Sequence, residues 1–220
     1  TDVIDAAARN ILRIKFLLGL FDDPYVDPDE LPPIGSEHAL QVAKQTALES
    51  IVLLRNEIGV LPLQKGKVKS IAVIGPLAEA PYEQLGTWIF DGDVSLSVTG
   101  LDGIQNLAGK DTKIRYVRAM PTSRSRADVQ FEESLEAAQQ SDVVVLFLGE
   151  ESILSGEAHS RADINLPGAQ AELVREVRKA GKPVVAVILA GRPLTLTNIV
   201  DDVDAFPGHI PCDSASRSEL

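Results

Sequence analysis

From about residue 68 onward, short apolar runs alternate with segments of helical period, and this alternation governs the fold. The clearest run is residues 142–149, DVVVLFLG, where six consecutive apolar positions are bounded by Asp and Gly. Unbroken β-branched and aliphatic runs of that length belong to strands buried on both faces. The same pattern predicts strands at 69–74, 113–118, 142–148 and 183–190, with helices near 100–108, 128–140 and 168–180. In residues 128–140, Phe131, Leu135 and Ala138 recur at helical spacing after Asp128. The 168–180 segment turns Leu173, Val174 and Val177 to one side and stops at Gly181, ahead of Pro183. Repeated strand–helix units of this size predict an α/β fold, a mostly parallel sheet flanked by helices.

The ends of the chain read differently. Residues 3–18 form an amphipathic pattern, with Ile4, Ala7, Ala8, Ile11, Ile14 and Leu18 on one face and Gly19 as the stop. Residues 22–33 hold four prolines and too little aliphatic material for a core, which predicts an extended linker. A helix detached by such a linker is expected to end a preceding domain. Ser36 is placed to cap a helix running to about Ser50, with 51–54 strand-like and 56–59 a turn. Beyond Ala205, residues 206–220 are polar and aperiodic, so a poorly ordered tail and a sheet short of one edge are expected. The expected organisation is therefore a terminal helix at 1–21, a linker at 22–35, an α/β domain at 36–205 and a tail at 206–220.

Composition narrows the function. The 220 residues are 45% hydrophobic and carry a formal charge of −11, enough apolar material for a core. An acidic body with scattered basic residues argues against nucleic acid and anionic membrane surfaces as partners. No apolar run approaches the roughly 20 residues that span a bilayer. Cys212 is the single cysteine, which excludes an intrachain disulfide and a cysteine metal cluster. His38, His159 and His209 are too dispersed for a metal site, and no nucleotide fingerprint or serine-hydrolase elbow occurs. No cofactor is implied. The chain opens at Thr1 without an initiator Met or signal peptide, and within the helical pattern, as expected of a piece of a longer protein.

Candidate chemistry gathers in two long loops. Strand-to-helix connections usually take about 2–6 residues, and longer ones are often functional. Residues 150–167 leave the carboxyl end of the strand at 142–148, the end where open α/β sheets bind ligands. Within them Glu157 lies close to His159 and Arg161, the ingredients of a tuned acid or base, although a solvated carboxylate fits the same pattern. Glu150 reads as a group orienting a ligand hydroxyl, or as a capping or solvated carboxylate. Asp163 reads as a turn residue. The second loop, residues 75–97, holds Trp88, either a platform for a sugar ring or a packing residue. Asp91 and Asp93 lack the spacing and closing Glu of a calcium loop.

Several stretches, in order, resemble glycoside hydrolase family 3, in particular its bacterial β-glucosidases. They are ARNILRIK at 8–15, LGLFDDP at 18–24, ALESIVLLRN at 47–56, IAVIGP at 71–76, GEAHSR at 156–161 and AGRP at 190–193. The resemblance implies the end of a barrel domain followed by that family's α/β sandwich domain. It implies a retaining hydrolase of β-linked glucosyl residues, acting on β-glucosides or cello-oligosaccharides. Glu157 matches the acid/base position, Arg161 would hold the loop near the substrate, and Trp88 would wall the sugar subsite. The Asp nucleophile would lie on a barrel outside this chain, so the 220 residues alone are expected to be inactive. The parent enzyme would be bacterial, periplasmic or cytoplasmic. The alternative is a carbohydrate- or nucleotide-binding α/β module without catalysis.

Overall fold

The computed structural model describes residues 1–31, 33 and 35–209. They divide into two compact units, Thr1–Glu37 and a second beginning at His38. The first contains α1 (Asp2–Leu17), in which no residue is buried. Gly19, at φ +71°, follows it, and Phe16 and Phe21 stack their rings 4.4 Å apart around this turn. Asp27 then caps a single 3₁₀ turn at Pro28–Glu30 by accepting from Asp29 N at 2.9 Å.

The second unit takes in α2 (Glu37–Ser50) from His38 onward, then β1 (Val52–Asn56), β2 (Ser70–Ile74), α3 (Gly100–Leu107) and β3 (Lys113–Val117). It continues with α4 (Phe131–Gln139), β4 (Val143–Gly149), α5 (Gln170–Arg178), β5 (Val184–Leu189) and β6 (Ala205–His209). The six strands form one sheet in the order β1-β6-β5-β4-β2-β3. Among the described residues only the β1–β6 pair is antiparallel. The α/β fold with a mostly parallel, helix-flanked sheet is thus present.

Every residue of β4 is buried, as its unbroken apolar run requires. Alternate side chains feed two cores. Ala72, Ile74, Val144, Leu146 and Leu148 pack with Leu173, Val174 and Val177 of α5 on one face. Val73, Val145 and Phe147 pack with Leu101 of α3 on the other. Strand starts are clamped by aspartates: Asp142 accepts from the backbone N of Lys69 and Ser70 at 2.8 and 2.9 Å. Asp204 does the same for Val184 N at 2.8 Å while pairing with Arg178.

Two boundaries differ from expectation. The helix expected from 128 begins at Phe131, because Asp128 adopts φ +55° and breaks the helical backbone there. The expected tail also begins too early. Residues 205–209 are not loose but form β6, inserted between β5 and β1, with Phe206 buried. Residues 210–220, the rest of the expected tail, lie outside the described residues.

The chain passes from β2 outward to β3 and then crosses to the other side of β2 to make β4. Strand order therefore reverses between β2 and β4. The crevice outside the carboxyl ends at such a reversal is the usual ligand site of open α/β sheets. The two long loops, after β2 and after β4, both leave from this point.

Candidate active site

The loop after β4 starts from a strained corner. Gly149 has φ +138°, and a Cβ there would lie 1.7 Å from Leu189 O, so only glycine lets the chain leave the sheet here. Gln170, fully buried at the start of α5, locks that corner. Its Oε1 accepts from Gly149 N at 2.8 Å, and its Nε2 donates to Gly149 O, Ser123 O and Pro167 O at 2.8–3.0 Å.

The next residue, Glu150, points inward. Its carboxylate is 0% exposed and lies between two guanidinium groups. Arg161 Nη1 donates to Oε1, and Arg192 Nε donates to Oε2 at 3.2 Å. A buried carboxylate requires such partners, because charge removed from water is tolerated only when paired and hydrogen-bonded. This placement corrects the solvated reading of Glu150: its carboxylate is turned away from water and held by two guanidinium groups. Arg161 also donates to Asn165 O at 3.1 Å, which ties the far arm of the loop to its root. Asp163 makes the expected turn, accepting from Asn165 N at 2.9 Å.

Glu151 faces Ser123 and Arg124 of the loop after β3, accepting from them at 2.7 and 3.0 Å. Burial pushes its carboxyl upward, but Arg124 and Ser123 outweigh that effect and hold it below the usual range.

Beyond a 3₁₀ turn at Ser152–Leu154, Glu157 occupies the apex. It is exposed and lies between Gly156 (φ +106°) and Ala158 (φ +63°). Among the described residues its carboxyl has no hydrogen-bond partner, so it is free to meet a ligand. His159 donates through Nδ1 to Ser155 O at 2.9 Å; a carbonyl can only accept, which places the proton on Nδ1.

The β2 and β4 loops are joined at Thr87. Its hydroxyl lies 2.9 Å from Ser152 O and 3.1 Å from both Ser155 O and Ser155 Oγ. A Cβ on Gly156 would stand 2.5 Å from Thr87 Cγ2, so the apex rests directly on this residue. Glu83 adds a second link, accepting from Ser152 N at 2.5 Å. Trp88, next to Thr87, is 47% exposed, with its ring 6.4 Å from that of Phe90. Asp93 is engaged with Ser95 in a local cap, as a structural residue would be.

Of the residues singled out in the sequence, Glu157 and Trp88 present exposed groups on adjoining loops, while Glu150 and Arg161 form the inner support. Arg192, Thr87 and Gln170 were not singled out. The one signal for Arg192 is electrostatic: an acidic residue immediately after a buried strand needs a counter-charge, and AGRP at 190–193 follows a neighbouring strand. Among the described residues no group of three or more His, Cys, Asp or Glu could hold a metal ion. No described helix is long and apolar enough to cross a membrane.

The mostly parallel sheet with its reversal crevice, and the two braced loops that leave from it, define an α/β domain whose candidate site lies at the strand carboxyl ends. Residues 51–208 match the glycosyl hydrolase family 3 C-terminal domain, and the chain belongs to that family. It is 35% identical to a periplasmic β-glucosidase of Salmonella typhimurium, covering 92% of this chain and 30% of that protein. It is 38% identical to a β-xylosidase of Formosa agariphila, covering 92% and 29%. The crystal structure of a Listeria innocua β-glucosidase with isofagomine superposes with a TM-score of 0.83 at 33% identity, covering 98% of this chain and 30% of that one. The chain thus spans about 30% of the length of these relatives.

Proposed function

We propose that these residues form the acid/base half of a retaining β-glycosidase, with Glu157 as the proton donor and acceptor. The observation that carries this reading is the contrast within one loop. Glu150 is sealed between two arginines, whereas Glu157 stands exposed at an apex fixed from below by Thr87 and Ser155. A general acid/base needs both access and a fixed direction.

Retaining enzymes use two carboxyl groups about 5–5.5 Å apart. In the first step Glu157 gives its proton to the glycosidic oxygen while a nucleophilic carboxylate attacks the anomeric carbon. In the second step the Glu157 carboxylate takes a proton from water as that water releases the sugar. The nucleophile is assigned to a barrel domain outside these 220 residues, and Trp88 to the wall of the sugar site. The preferred substrate class is terminal β-linked glucosyl residues, supported by the β-glucosidases among the relatives.

In an enzyme that unites this chain with its barrel, Glu157→Gln should lower kcat/KM by about 10²–10⁴-fold on aryl β-glucosides with poor leaving groups. Substrates with activated leaving groups need no acid and should lose far less in the glycosylation step. Equal loss across the series counts against the role of Glu157. Faster turnover of aryl β-xylosides than of the matching β-glucosides overturns the glucosyl assignment. Hydrolysis of any aryl β-glucoside by the purified 220-residue chain would contradict the placement of the nucleophile.

A further inference from the structure

We infer that Arg192 is a positioning residue for the Glu157 carboxyl, an inference that rests on the acid/base reading above. Arg192 lies in the turn after β5, on a different strand from the loop it serves. Besides pairing with Glu150, its Nη2 donates to His159 O at 2.7 Å and to Leu154 O. Leu154 and His159 lie three residues before and two residues after Glu157. One guanidinium therefore closes both ends of the segment that carries the acid/base.

Between those ends the backbone is bent at both neighbours of Glu157, with Gly156 at φ +106° and Ala158 at φ +63°. Gly156 adopts its angle freely, but Ala158, a non-glycine residue at positive φ, keeps its angle only while the surrounding structure holds it. The turn bearing Arg192 also abuts the loop, since a Cβ on Gly191 would lie 2.3 Å from Ser155 Oγ. The planar guanidinium fork is what allows one side chain to reach a carboxylate and two carbonyls together. A lysine ammonium can retain the Glu150 contact but cannot span all three acceptors. Among the described residues Arg192 makes no hydrogen bond or ion pair with Glu157 itself, so it acts through the loop backbone.

The test uses the enzyme that joins this chain to its barrel, assayed on aryl β-glucosides of graded leaving-group acidity. Displacing a catalytic group by about 1 Å costs on the order of 100-fold in rate. Arg192→Ala should therefore lose roughly that factor in kcat/KM on the poorest leaving group and little on the most activated one. Arg192→Lys should show the same slope, and guanidinium at a non-denaturing concentration should restore part of the Ala variant's loss. A loss independent of leaving group, full activity of either variant, or full rescue by Lys overturns the inference. If Glu157→Gln itself gives a flat series, the acid/base reading falls and this inference with it. If Glu157→Gln is steep and Arg192→Ala is flat, only the inference falls. Amide hydrogen exchange on the 220-residue chain gives an independent readout. Residues 155–159 should exchange faster in the Lys variant, or in the Ala variant if it folds, with β4 and β5 unchanged. Unaltered exchange at 155–159 rejects the pinning role.

Discussion

Glu150 and Glu151 are neighbours in sequence with different environments, and the difference is set by direction. Glu150 turns into the domain and meets Arg161 and Arg192, while Glu151 turns toward Ser123 and Arg124. Removing Glu150 leaves two guanidinium groups, 16% and 21% exposed, without their counter-charge. Glu150→Ala should thus lower stability by roughly 3–5 kcal/mol in urea unfolding. A loss below about 1 kcal/mol would mean that water or other acceptors replace the carboxylate. The sequence exposed Glu150, Glu157, Arg161 and Trp88 because all four lie in loops too long for simple connections. It hid Arg192, which sits 42 residues from its carboxylate partner and belongs to a short turn. Such pairing is created by strand order, and local pattern carries no record of it.

At the scale of elements, the parallel core strands were legible because burial on both faces makes the sequence uniformly apolar. β6 was not. Its five residues include Pro207 and Gly208, and proline lacks the N–H that a sheet ladder requires. The structure accommodates this at the β1–β6 pair, where Leu53 faces Pro207 but Arg55 faces Phe206, leaving Leu54 as an extra residue. A bulge of this kind interrupts the ladder where the donor is missing. Phe206, meanwhile, is 2% exposed within the core shared with α4 and α5. Phe206→Ala should cost about 3–5 kcal/mol in chemical unfolding with an unchanged denaturant slope. A loss of less than about 1 kcal/mol would show that this strand adds little to the sheet.

For the whole molecule, acid is the vulnerable direction. Asp142 is held below the ordinary aspartate range, chiefly by the backbone N–H groups of Lys69 and Ser70, which bind the ionised form. A carboxyl depressed in the folded state adds stability above its unfolded value near ~3.9, and that contribution is lost as pH falls further. Glu151 acts in the same sense. Unfolding midpoints should therefore drop as pH falls from about 5 toward 2. Asp142→Asn should flatten that slope; an equally steep acid limb in the variant would remove Asp142 from the account.

The sheet's order also bears on how the protein is made. Among the described strands β1 pairs with β6 alone, although about 150 residues separate Asn56 from Ala205. A growing polypeptide releases Val52, Leu53 and Leu54 about 150 residues before β6, and in this domain these side chains are more than half exposed. Until β6 leaves the ribosome they have no strand to bond, so synthesis passes through an interval in which another nascent chain can pair with them first.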